Sequence, residues 1–284
     1  MKSKDNIKKF IVIMLSLVMV VTMFAACGQK KETAETEKAV IGMLPVLNAT
    51  EEDLTQTQSD LGRENTVVKF YDDINSMILA LQGDKIICIG RIPEPTAMHI
   101  ANNNPEFTAH YRKIDDKDKY LKYSMGFNND KKGVADKVQA ALDEMKSDGT
   151  LDKLSAEYID AFVEGGEPAA VEMPVIAGAE TIEIVVTGDL PPFDYISADG
   201  KPCGFNTAML AELSKRIGIN IELVSTNSAG RAAALSSGKA DGLFYVAEWS
   251  VGDAISNSDC PEGMITVGPF YESKSYSVWK AKEE

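Results

Sequence analysis

Apolar positions change period along this chain. One unbroken apolar run, Ile11 to Phe24, stands near the start, and beyond it the pattern breaks into strand-length runs and helical stripes. Ala39–Leu44, Thr66–Tyr71 and Lys85–Ile89 read as strands. Between them, Thr50 opens a helix as N-cap with Glu51, Glu52 and Asp53 in its first turn, and Asp73–Leu81 reads as a second helix. Leu121–Phe127 is a further strand leading into a helix over Lys132–Ser147, whose buried stripe is Val134, Val138, Leu142 and Met145. Gly149 stops it, and another helix runs from Leu151 to Phe162.

Residues 163–178 are rich in Gly, Pro and Glu and carry no period, which marks a linker. A second block follows with the same alternation. Glu183–Thr187, Asn220–Val224 and Asp241–Val246 read as strands, Thr207–Ile217 and Gly230–Ser237 as helices, and Thr266–Pro269 and Ser275–Trp279 as two late strands. Pro191-Pro192 stiffens the loop from Leu190 to Tyr195, and Asp199-Gly200 makes a turn. This alternation predicts an α/β fold with mainly parallel sheets and helices on both faces. The blocks are weakly self-similar: Ala80-Leu81-Gln82-Gly83 and Ala234-Leu235-Ser236-Ser237-Gly238 each precede a buried strand.

Charge narrows the partners. The chain carries −14; Lys2, Lys4, Lys8 and Lys9 against Asp5 put +3 into residues 1–27, leaving −17 for the rest. So acidic a body disfavours nucleic acid and anionic lipid surfaces. Beyond Cys27 the cysteines are Cys88, Cys203 and Cys260, an odd set without C-x-x-C spacing, so neither a disulfide framework nor a zinc site is indicated. His99 and His110 are spaced as neither a metal pair nor part of a triad. No metal and no cofactor are expected.

Basic residues, a short apolar run and the pair Ala25-Ala26 have the three zones of a secretory signal. Small residues directly before Cys27 resemble the lipobox of bacterial lipoproteins, with Phe24 where Leu is usual. That resemblance implies residues 1–27 as signal and lipidated Cys27, and residues 28–38 as a polar tether. The protein is then expected outside the cytoplasm, lipid-anchored to the outer face of the cytoplasmic membrane.

The second block resembles the first lobe of family 3 extracellular solute-binding proteins, the receptors of ABC-type amino-acid importers. The matching residues are Gly188-Asp189, Pro191-Pro192-Phe193, Tyr195, Asp199-Gly200-Lys201, Gly204-Phe205-Asn206, Leu213–Gly218, Ser237–Asp241 and Pro269-Phe270-Tyr271. The first block is similar to the remainder of that fold, and Lys146–Leu154 is close to the segment that normally ends it. The resemblance implies a two-lobed, type II periplasmic-binding-protein-like clamshell in circularly permuted order. Residues 39–162 then hold the usually C-terminal lobe with the returning strand and helices, 163–178 the linker, and 179–284 the usually N-terminal lobe. Two incomplete lobes without one cleft are the rival layout.

By the same resemblance, Asp189, Phe193 and Tyr195 on the loop after the first strand of the second block are ligand candidates, though Phe193 serves equally well as packing. Tyr245, Glu248 and Trp249 follow the Asp241 strand, where the family contacts its ligand. This chain departs from the family at two points. Ser250-Val251-Gly252-Asp253 replaces the usual Thr-x-x-Arg that clamps an α-carboxylate, and Arg91 falls at or beside the usual ammonium-binding Asp. An anionic ligand end on Arg91 with a cationic end on Glu248 would reverse the usual polarity; a solvated Arg91 is the plainer alternative. Arg231, Asn48 and Thr50 are further candidates, the last two through helix N–H groups or as ordinary caps.

The function expected is a lipid-anchored, monomeric receptor, not an enzyme, that captures a small polar solute, an amino acid or a relative, for an ABC permease. A cyclohexadienyl-dehydratase-like enzyme on the same fold and a sensory or adaptor lipoprotein without transport are the alternatives.

Overall fold

The computed structural model describes residues 38–281 apart from 115–116, 167–168 and 252–253. The apolar run, Cys27 and all but the last residue of the tether lie outside the described residues.

Two parallel three-stranded cores form, each from the alternation expected of it. In the first, β1 (Ala39–Met43) lies between β2 (Thr66–Phe70) and β3 (Cys88–Pro93), parallel to both. Helices α1 (Glu51–Asp60) and α2 (Ile74–Gln82) make the crossovers. A capping box fixes the start of α1: the Thr50 side chain accepts from Asp53 N, and the Asp53 carboxylate accepts from Thr50 N. Asp73 caps α2 by accepting from Ser76 N. Helix α3 (Glu94–Asn103) and β4 (Phe107–Tyr111) complete this half. Neither was expected, because Pro93, Pro95 and a run of three asparagines obscure the short apolar pattern of Ala97 and Ile100.

In the other half, reached through the short β5 (Lys113–Ile114) and the long β6 (Lys117–Asn128), α4 (Lys132–Ser147) runs as expected and buries Val134, Val138, Leu142 and Met145. Helix α5 (Thr150–Ser155) continues through a π-turn to Val163. After the linker come β7 (Thr181–Val186), the small antiparallel β8 (Asp189–Leu190), β9 (Asp194–Ile196) and β10 (Pro202–Cys203), and then α6 (Phe205–Ile217). The strands β11 (Asn220–Ser225) and β12 (Gly242–Val251) flank β7 in parallel, with α7 (Arg231–Ser236) between them in sequence.

The end of the segment expected as a linker is held at Ile176. Asn220 accepts from Ile176 N and donates to Ile176 O, and Arg216 on α6 meets Asp148 beyond α4 at 2.8 Å. The segment that begins the second block and the helices that end the first therefore pack on one half.

β12 turns back through β13 (Ala254–Ser258), and the chain ends in β14 (Met264–Lys280), one seventeen-residue strand where two short ones were expected. The order across the sheet is β11-β7-β12-β6-β14-β3-β1-β2. Residues 264–274 of β14 pair with β6, whereas residues 275–280 pair with β3 and β4. The last six residues of the strand thus belong to the first half, although the second block was expected to hold all of 179–284. The halves are joined twice, by β14 and by the passage from β4 to β6. The fold is α/β, with two mainly parallel sheet halves joined by antiparallel connecting strands.

Cys88 and Cys203 are buried free thiols, and burial pushes the Cys88 thiol up to about 11. Among the described residues no helix is long and apolar enough to cross a membrane, and no cluster of His, Cys, Asp and Glu is placed to hold a metal ion.

Candidate ligand-binding site

Where the halves meet, β1 and β3 point their ends at β6 and β12, and a cavity of ≈ 70 Å³ remains between them. One half contributes Met43, Leu44, Pro45, Val46, Arg91, Ile92 and Pro93; the other contributes Leu121, Tyr123, Leu190, Ser228, Arg231, Tyr245, Ala247 and Asp259. At about 30 Å³ per water, this holds a group of only a few heavy atoms. Anything larger requires the halves to part.

Strand alternation decides which residues of β12 face this space. Tyr245 and Ala247 line it, and Trp249, two residues on, stacks its ring on Arg91 with the guanidinium carbon 3.8 Å from the ring centroid. Glu248 lies on the opposite face of β12, opposite Lys122, which pairs with Glu272 of β14 at 3.5 Å. It is not a cavity residue, so the expected cationic end on Glu248 has no place here.

Arg231 and Asp259 bridge the seam. Arg231, 5% exposed, donates to the carbonyls of Ser228, Phe244, Tyr245 and, across the seam, Pro45. Each of its guanidinium nitrogens donates to backbone oxygen, so it is a structural clasp rather than an anion contact. Asp259, 2% exposed, accepts from Leu47 N and Asn48 N of the other half, the latter at 2.9 Å. Burial raises its carboxyl to about 6, against the opposing pull of those N–H groups and of Arg231 and Arg91.

Asn48 also donates to Cys260 O at 3.4 Å, so it joins the halves at the rim of the cavity. Thr50 is engaged by the capping box of α1 and does not line the cavity.

Arg91 is different. It sits on β3 with φ +57°, a left-handed conformation uncommon for a side chain with a Cβ. Among the described residues its guanidinium makes no hydrogen bond and no ion pair; its one strong contact is the Trp249 ring. Burial lowers its pKa to about 10, against a through-space attraction to Asp259, which leaves it a cation at neutral pH.

Beneath the cavity, Tyr245 donates its hydroxyl to Asp194, and Asn206 donates to both. Asp194 also accepts from Thr187 Oγ1 and Gly188 N, which holds the loop after β7 in place. Gly204 is required beside it: its φ is +101°, and a Cβ there would lie 2.4 Å from the Phe193 carbonyl oxygen. Phe193 is wholly buried against Tyr245, Tyr271 and Phe205 and does not reach the cavity; of its two expected roles, packing is the one it fills.

Asp189 and Tyr195 line a second cavity of ≈ 260 Å³, against Asn75 and Ile78 of α2 and Thr96 and His99 of α3. Burial raises the Asp189 carboxyl to about 6. The structure therefore brings together Arg91, Arg231, Tyr245 and Trp249 of the expected residues, and sets Asp189 and Tyr195 apart from them. Asp259, Tyr123 and the Leu44–Leu47 loop were missed. No residue-type pattern near them singles them out, and only the fold brings them to the seam.

Residues 182–247 match the family described as bacterial extracellular solute-binding proteins, family 3. No curated protein matches the chain. Among solved structures, NikA from Staphylococcus aureus in complex with Ni(L-His)2 aligns at 13% identity and TM-score 0.38, over 64% of this chain and 40% of that one. The zinc-bound ligand-binding component of an ABC-type import system from the same organism aligns at 14% and 0.37, over 86% and 66%. The GluR0 ligand-binding core with L-glutamate aligns at 7% and 0.38, over 88% and 87%. The chain thus spans less than half of NikA and about two thirds of the import component. Over residues 182–247, less than half of its length, this chain is similar to the family 3 extracellular solute-binding proteins.

Proposed function

We propose that the protein is an extracytoplasmic solute-binding receptor, anchored through Cys27, that closes its two halves over a small solute and delivers it to an ABC-type permease. The observation that carries this reading is the cavity at the seam, lined from both halves and bordered by the two chain passages that join them. Two connecting strands permit a hinge motion that opens and closes such a space. The family segment at residues 182–247 supports a binding rather than a catalytic role. So does the Asp194–Tyr245–Asn206 network, whose members bond to one another instead of presenting a nucleophile beside a base.

In this reading the chain is one permuted clamshell. Support comes from β14, which crosses from one half to the other, and from the packing of the linker and α6 against the end of α4. The ligand belongs to the small polar solutes, amino acids or relatives of them.

A thermal-shift screen of the full chain in mild detergent tests the receptor, using amino acids, amines, small carboxylates, polyamines and nucleobases. A ligand that binds the folded state alone stabilises it by about 2.7 kcal/mol at a hundredfold excess over its Kd. One chemical class giving a saturable rise in Tm is the expected result. A cooperatively melting protein that responds to no class overturns the reading.

A further inference from the structure

The two polar groups that an amino acid would need in this cavity are already engaged. Asp259 is the one acid that lines it among the described residues, and it accepts two backbone N–H groups of the opposite half. Arg231 is satisfied by four carbonyls. Glu248, which would have received an ammonium, faces away.

What remains is Arg91, a cation whose guanidinium lies between the Trp249 ring and the cavity and makes no hydrogen bond or ion pair among the described residues. Arg91 is half-buried, and a partly desolvated cation without a contacting counter-charge carries a cost that a bound anion removes. A guanidinium whose carbon lies 3.8 Å from an indole centroid keeps its N–H donors for other partners, and two of them suit a carboxylate. Of the remaining walls, Met43, Leu44, Val46, Ile92, Leu121 and Ala247 are apolar, and Tyr123, Thr187, Ser228 and Tyr245 add hydroxyl-bearing side chains but no charge.

We infer that the solute of this cavity is a carboxylate with a compact apolar body and no amino group, its carboxylate held by Arg91. This rests on the receptor reading above and names its ligand class. The Asp259 contact to Leu47 and Asn48 then closes the rim without help from the ligand, so a ligand ammonium finds no free carboxylate among the lining residues. An amine or an amino acid placed here buries an uncompensated positive charge beside two arginines.

The test uses matched triads on the full chain, small enough for the cavity: propanoate, alanine and ethylamine, then butanoate, 2-aminobutanoate and propylamine. Binding is read by Trp249 fluorescence in a Trp279→Phe background and by Tm. The acids are expected to bind saturably, the amino acids at least tenfold more weakly, and the amines not at all. Arg91→Ala is expected to weaken acid binding at least tenfold, and Arg91→Lys to recover part of the loss, with the Tm of both unliganded variants near that of the parent.

Amino acids binding as tightly as their acids overturn the ligand class and leave the receptor standing. Acid binding unchanged in Arg91→Ala overturns the role of Arg91. No binding by either triad also overturns the inference; a response to another class in the broader screen then keeps the receptor, and silence there ends both.

Discussion

Arg231 and Arg91 line one cavity from opposite halves of the fold, and the contrast between them is the most instructive feature of the site. Arg231 is surrounded by carbonyl oxygens, three from its own half and one from across the seam. Arg91 has an indole ring for a neighbour and no oxygen within hydrogen-bond reach among the described residues. The residue type is identical, so residue type alone does not identify a ligand contact. Counting where each donor goes does: a satisfied buried cation holds the protein together, and an unsatisfied one awaits a partner.

The contrast predicts effects of unequal size. Arg231→Ala leaves up to four carbonyls without their donor and is expected to destabilise the fold most, by roughly 3 kcal/mol or more in urea unfolding. A loss below about 1 kcal/mol would mean that the clasp is not structural.

The Arg231 side of the seam also carries the pH dependence. Asp259 and Asp189 both have folded-state carboxyls raised to about 6 from the ordinary value of 3.8. The unfolded chain gives up these protons first as pH rises, so their contribution to stability is fully present below about 4 and is lost as pH rises through 6. Stability measured by denaturant should therefore increase on going from pH 7 to pH 5, each carboxyl adding at most about 1.4 kcal/mol for every pH step of one. Asp259→Asn and Asp189→Asn should each flatten that slope. A slope unchanged in Asp259→Asn would place its titration elsewhere.

The smallest effect belongs to Arg91. Arg91→Met keeps the aliphatic stem against Trp249 and removes a charge that no carboxylate contacts, so unfolding free energy should stay within about 1 kcal/mol of the parent. A loss as large as that of Arg231→Ala would erase the distinction between the two arginines and show that Arg91 is structural.

Much of the fold was legible in sequence because local patterns carried it. The stripe Val134, Val138, Leu142 and Met145 faces the core as its spacing requires, Thr50 caps α1 with an acidic residue three positions on, and Gly218 ends α6 in a left-handed turn. The α3–β4 unit escaped notice because two prolines and three asparagines hide a short amphipathic pattern. The continuity of β14 escaped because Gly268-Pro269 in its middle reads as a break, whereas the strand shifts register there and continues.

The site was legible only in part. Strand alternation can place Tyr245 and Trp249 on one face of β12 and Glu248 on the other, but which face looks at the seam depends on which strands flank it. Here that is β6, with Leu121 and Tyr123 on the cavity side and Lys122 on the other.

The sequence by itself determined the α/β alternation, the helix caps and the buried helical stripes, because each depends on residues close together in the chain. The tertiary structure alone decided that Asp259 would reach a loop more than two hundred residues away, that Arg231 would be satisfied, and that Arg91 would not. Those outcomes depend on how two halves meet, and no local pattern encodes the distance between them.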